Sequence, residues 1–145
     1  MLSKLLRLFE PRPAPPAVDP KLAVAQLLLE MARADFSAEA VEIATIRELL
    51  ARAYSLSGEE LDALLRQADE RVARSVSLYD TVSALNSTLD HDRRRELMAM
   101  LWRVAYADGK IDKYEEALLR KLADLLFVSH SDFIREKLAV IGEGS

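Results

Sequence analysis

All five prolines of this 145-residue chain fall between Pro11 and Pro20. Proline lacks an N–H donor and restrains the residue before it, so helices do not run through a proline cluster. Residues 10–18 (EPRPAPPAV) therefore read as an extended tether. Beyond Pro20 no proline interrupts the chain, and apolar residues recur three and four apart, the period of a helix with one buried face. No stretch combines two-residue alternation with hairpin turns. The pattern predicts an all-α domain.

Start signals divide that domain into about seven helices. Asp19 followed by Pro20 is a cap before a first-turn proline, and Leu22, Ala25, Leu28, Leu29 and Ala32 follow as a stripe. A second helix is expected from Ser37, with Ala40, Val41, Ala44, Leu49 and Leu50 as its apolar side. Ser57 with Glu60 three residues on is a capping-box pattern, followed by Leu61, Leu64, Leu65 and Ala68. The fourth helix starts near Ser77 and presents Leu78, Val82, Leu85 and Leu89. The fifth starts near Asp90 or Asp92, carries Leu97, Met98, Leu101, Trp102, Val104 and Ala105, and breaks at the turn dipeptide Asp108-Gly109. Asp112 and Glu115 open the sixth, faced by Leu118, Leu119, Leu122, Leu125 and Leu126. Ser129 and Asp132 open the seventh, with Phe133, Ile134 and Leu138. Short linkers between these helices imply antiparallel neighbours in one compact bundle. The domain spans 19–141 on this reading. Residues 1–18 form a short amphipathic segment and tether before it, and residues 142–145 a frayed tail.

The bundle carries an internal pseudo-repeat of helix–turn–helix units. Residues 30–53 (EMARADFSAEAVEIATIRELLARA) resemble 103–126 (RVAYADGKIDKYEEALLRKLADLL) at a constant offset of 73. Ala32 matches Ala105, Asp35 matches Asp108, Glu42 matches Glu115, Arg47 matches Arg120 and Leu49 matches Leu122. Tyr54 and Phe127 also match, which suggests a shared packing role. The likeness then continues one residue slipped, with LSGEEL (56–61) facing VSHSDF (128–133). Two units that each lack a full core bury a shared one when packed together.

Composition narrows the chemistry. Cysteine is absent, which removes disulfides, thiolate nucleophiles and cysteine metal sites. A net charge of −4 argues against nucleic acid as a partner. The one dense basic run, Arg93-Arg94-Arg95, reads as a solvated helix face, with a phosphate or acidic partner as the alternative. Residues 1–9 (MLSKLLRLF) are too short for a signal peptide, and no stretch has the ~18 apolar residues of a membrane span. His91 and His130 lack zinc-type spacing, and the four glycines form no phosphate loop.

The best candidate site is an acidic turn present in both halves. Asp108, Asp112 and Glu115 surround the second turn; Glu30, Asp35, Glu39 and Glu42 surround the first. Carboxylates in such numbers supply oxygen ligands for Ca2+ or Mg2+, or a face for a basic protein. The competing reading is structural: Asp112 and Glu115 are explained as cap and capping box, and Asp108 as a turn former. The spacing is not that of an EF-hand, because Lys110, Lys113 and Leu119 occupy its third, sixth and twelfth positions. Arg33, Arg103 and Tyr106 flank the turns, and Tyr79 with Asn86 would line a groove near the middle of the chain.

The segments LLLEMARADF (27–36), LNSTLD (85–90), LWRVAYADGKIDKYEE (101–116) and VSHSDF (128–133) resemble the TerB family of tellurite-resistance proteins, which is itself similar to the N-terminal domain of a membrane-anchored DnaJ-type co-chaperone. The resemblance implies a compact helical fold and a non-enzymatic role in stress response or tellurite resistance. It implies a cytoplasmic location, peripheral at the inner membrane if anywhere near it, and partners among the proteins of a membrane-associated stress complex. It also implies an acidic surface for metal or protein, carried here by Glu30, Asp35, Glu39, Glu42, Asp108, Asp112 and Glu115. The sequence departs from its own repeat at Asp35-Phe36, where the second half has Asp108-Gly109; phenylalanine resists the left-handed backbone that glycine permits. Two further functions fit the residues: a metal-dependent hydrolase of a phosphorylated small molecule, with Arg33 and Arg103 as phosphate clamp, and a purely structural domain that dimerises.

Overall fold

A computed structural model describes residues 18–34 and 40–143. The described residues form seven helices: α1 (Pro20–Ala34), α2 (Ala40–Tyr54), α3 (Gly58–Ala73), α4 (Leu78–Thr88), α5 (His91–Ala105), α6 (Lys113–Leu125) and α7 (His130–Glu143). The expected start of α2 at Ser37 lies outside the described residues, and α7 runs on to Glu143, past the expected end at Ile141.

Helix α1 is the central element. Every residue from Ala23 to Leu29 is buried, together with Met31 and Ala32. A helix apolar on all sides is stable only when surrounded; α1 packs against α2, α3, α4, α5 and α6. Its repeat partner α5 buries Leu97, Met98, Leu101, Trp102, Val104 and Ala105 and packs against α1, α2, α6 and α7. The contacts are reciprocal: α1 touches α6 as α5 touches α2, and α3 lies on α1 as α7 lies on α5. This is a pseudo-two-fold arrangement around the α1–α5 contact. Helix α4 packs on α1 and α6 and stands outside the repeat.

The one-residue slip in the sequence repeat has a structural counterpart. Helix α2 ends at Ser55 with φ 52°, and α6 is followed by Phe127 with φ 57°. The Leu56 N–H then donates to the Ala51 carbonyl at 3.2 Å, and the Val128 N–H to the Ala123 carbonyl at 2.9 Å. Both units thus close with the same left-handed helix stop, and Leu61 and Phe133 are buried just beyond it.

Three readings of side-chain placement change. In α2, Val41, Ala40 and Ala44 are exposed, and the buried side is Glu42, Ile46 and Leu50. The apolar count misjudged this helix because small alanines tolerate solvent while a charged residue occupies a core position. Leu138 is 63% exposed rather than core. Tyr54 and Phe127 do not share a packing role, since Tyr54 is half-buried and Phe127 is 73% exposed; the slip makes Ser55, not Tyr54, the counterpart of Phe127.

Candidate functional site

The second acidic turn connects α5 to α6. Tyr106 ends α5, its N–H donating to the Trp102 carbonyl at 2.9 Å. Gly109 takes φ +85° and donates to the Tyr106 carbonyl at 2.9 Å. One Asp108 carboxylate oxygen accepts the Lys110 N–H at 3.0 Å, an Asx turn. Ile111 then packs against the core. Asp112 caps α6 by accepting the Glu115 N–H at 2.8 Å, and Glu115 returns the bond, accepting the Asp112 N–H at 3.3 Å. The capping box is complete, and Glu115 is 1% exposed. Each of the three carboxylates therefore has a structural duty at this turn. Asp108 is exposed and Asp112 half-buried.

In the first half, Asp35 and Glu39 lie outside the described residues. Glu42, the repeat counterpart of Glu115, is fully buried at the start of α2. The repeat thus places a buried glutamate in the first turn of each second helix, an orientation that suits the helix dipole. Glu30 occupies a different place. It is half-buried in an open groove of about 610 Å3 between the α3–α4 turn and the C-terminal half of α6, with Lys121 and Tyr79 also on the lining. Burial raises the Glu30 carboxyl above its ordinary range, and the nearby Arg33 guanidinium opposes the shift.

Among the described residues no three His, Asp or Glu side chains converge so as to hold a metal ion. The described residues alone do not fit a cation cage.

The flanking groups divide. Arg33 pairs with Asp69 of α3, which ties α1 to α3. Arg103 is exposed near the end of α5. Arg93-Arg94-Arg95 is not a uniform solvated face: Arg93 pairs with Glu96 at 3.4 Å, Arg94 is half-buried, and Arg95 reaches Glu136 of α7 at 3.3 Å. Successive helical residues point about 100° apart, so a basic triplet spreads over most of the circumference. Tyr79 lines the groove as expected and is 65% exposed, whereas Asn86 turns to α6 and donates to the Leu125 carbonyl at 2.7 Å.

Two features have no plain sequence signal. Buried Gln26 on α1 donates to the Val76 carbonyl at 3.1 Å and accepts from Arg71 at 2.8 Å and Thr81 at 3.0 Å, fixing the α3–α4 turn that forms the groove wall. A second groove of about 520 Å3 opens where the N-terminal ends of α1 and α5 meet the C-terminal end of α2. Gln26 is a polar residue within an apolar stripe, and the second groove joins residues from three separate parts of the chain.

No helix among the described residues is long and apolar enough to cross a membrane. A family model described as tellurite resistance protein TerB matches residues 21–138. No curated protein and no solved structure matches the chain.

Proposed function

Because the chain belongs to the TerB family, we propose that it is a non-enzymatic interaction module of a stress response, acting in resistance to tellurite through its acidic α5–α6 turn. The family match over residues 21–138 carries this reading. The turn supports it with two carboxylates, Asp108 and Asp112, each fixed by a backbone hydrogen bond, the first exposed and the second half-buried. Such a preorganised acidic edge suits a basic face on another protein, because little side-chain entropy is lost on docking. The partner class is a protein of a membrane-associated stress complex.

The finer form of the reading adds a divalent cation, Ca2+ or Mg2+, shared between the two turns. It requires Asp35 or Glu39 to supply ligands that the described residues do not. Calorimetric titration of calcium and magnesium into metal-stripped protein tests it. Saturable binding that disappears in Asp108→Asn/Asp112→Asn supports a shared ion, and no heat from folded wild-type protein removes it.

The hydrolase reading has less support. Arg33, half of its phosphate clamp, is engaged by Asp69. A panel of phosphoesters with added magnesium and manganese is expected to show no turnover; saturable hydrolysis would revive it. Dimerisation is tested by mass in solution, where the module reading needs no second copy.

A further inference from the structure

The groove of about 610 Å3 holds the half-buried carboxylate of Glu30, which has no hydrogen bond or ion pair among the described residues. The Arg33 guanidinium acts on Glu30 electrostatically, but it is bound to Asp69 of α3. Lys121 lies on the same lining, exposed, and does not pair with Glu30. A carboxylate taken partly out of water without a countercharge is poorly stabilised as an anion, which is the origin of its raised carboxyl. A cation entering the groove restores what burial removes.

The surroundings suit an organic cation better than a metal ion. Calcium and magnesium need several oxygen ligands, and Glu30 is the one carboxylate on the lining. Half-buried Val76, Leu78 and Leu125 give the groove apolar walls along which the stem of a long side chain can lie. Tyr79, 65% exposed, adds an aromatic ring, a surface that attracts cations and stacks with guanidinium in particular. Two helices end here, α3 with Val72 and α6 with Leu125 in their last turns. Their carbonyl ends carry negative partial charge. The opposite end of α4, also on the lining, is capped by Ser77 and has Asp80 in its first turn.

From this charge complementarity we infer that the groove receives an arginine side chain of a partner protein, with its apolar stem along Val76 and Leu125 and its guanidinium at Glu30 beside Tyr79. No lining residue belongs to the acidic α5–α6 turn, so this contact is separate from the one proposed there. Lys121 is the like charge on the rim, and it weakens the contact rather than making it.

The probe is N-acetyl-arginine methylamide, titrated into isotope-labelled full chain at neutral pH and constant ionic strength. Backbone amide shifts are followed at Val76, Leu78, Tyr79 and Lys121. N-acetyl-citrulline methylamide, of the same shape and uncharged, is titrated in parallel. Saturable shifts are expected from the arginine probe, at several-fold lower concentration than from citrulline. Glu30→Gln keeps the shape of the side chain and is expected to weaken arginine binding several-fold; Lys121→Ala is expected to tighten it. Melting of both variants confirms that they are folded, so a change of affinity reports on the groove. Absence of saturable shifts, equal binding of the two probes, or arginine binding indifferent to Glu30→Gln would overturn the inference. Weaker binding in Lys121→Ala would overturn it as well, because the groove would then hold an anionic group through that lysine.

Discussion

Among the described residues Gly109 is the glycine held at positive φ, +85°, and a Cβ added there would meet nothing within 4 Å. The cost of Gly109→Ala is therefore conformational rather than steric, about 1–2 kcal/mol from the left-handed penalty, readable as a lower denaturant midpoint with an unchanged slope. Phe127 shows the opposite situation. It holds φ 57° with a side chain 73% exposed, so it bears the same penalty with little burial in return. Phe127→Asn is expected to raise stability by about 0.5–1 kcal/mol, because asparagine tolerates this region; a loss would mean that the ring packs more than its exposure implies. Glu30 makes a pH-dependent contribution. Burial raises its carboxyl above the ordinary 4.5, so its share of stability is full below that pH and is lost as pH rises through the raised value. Glu30→Gln should therefore melt higher than wild type at pH 7, with the difference closing in acid. A constant difference at all pH values would contradict the assignment to ionisation.

At the scale of elements, the helix starts are the part most visible in the sequence. Ser57 with Glu60 and Asp112 with Glu115 form the expected capping boxes, and Ser77, Asp90 and Ser129 each accept the N–H three residues on. These signals are local, so they are legible without tertiary structure. Asp112→Ala is expected to cost about 1 kcal/mol through the lost cap, while Asp112→Asn costs little. The buried face of α2 was not legible, because Glu42 occupies a core position and only its repeat partner Glu115 hints at that. Gln26 was equally hidden. A polar residue in an apolar stripe is decided by partners 45 to 55 residues away. Gln26→Leu should destabilise by roughly 1–3 kcal/mol, since it strips Val76, Arg71 and Thr81 of a shared buried partner; chemical denaturation measures it.

Across the whole molecule, the repeat is the feature that the sequence shows best and that explains most. Its offset of 73, its one-residue slip and its matched glutamates all reappear as reciprocal helix packing around α1 and α5. The grooves were less visible, because each joins residues distant in the chain; of the expected pair at the mid-chain groove, Tyr79 lines it and Asn86 does not. The acidic turn stands between these cases. Its carboxylates were identified from spacing, yet cap and docking face require the same residues, and only a substitution that keeps one duty while removing the other separates them. Asp108→Asn/Asp112→Asn does so, since asparagine preserves both the turn and the cap while neutralising the charge. The decisive measurement is survival under tellurite of a strain lacking this chain, complemented with wild type or with that variant, after the variant's melting has been matched to wild type. Wild type is expected to restore survival and the equally stable variant is not. Full rescue by the variant would contradict it and reduce the acidic turn to helix capping.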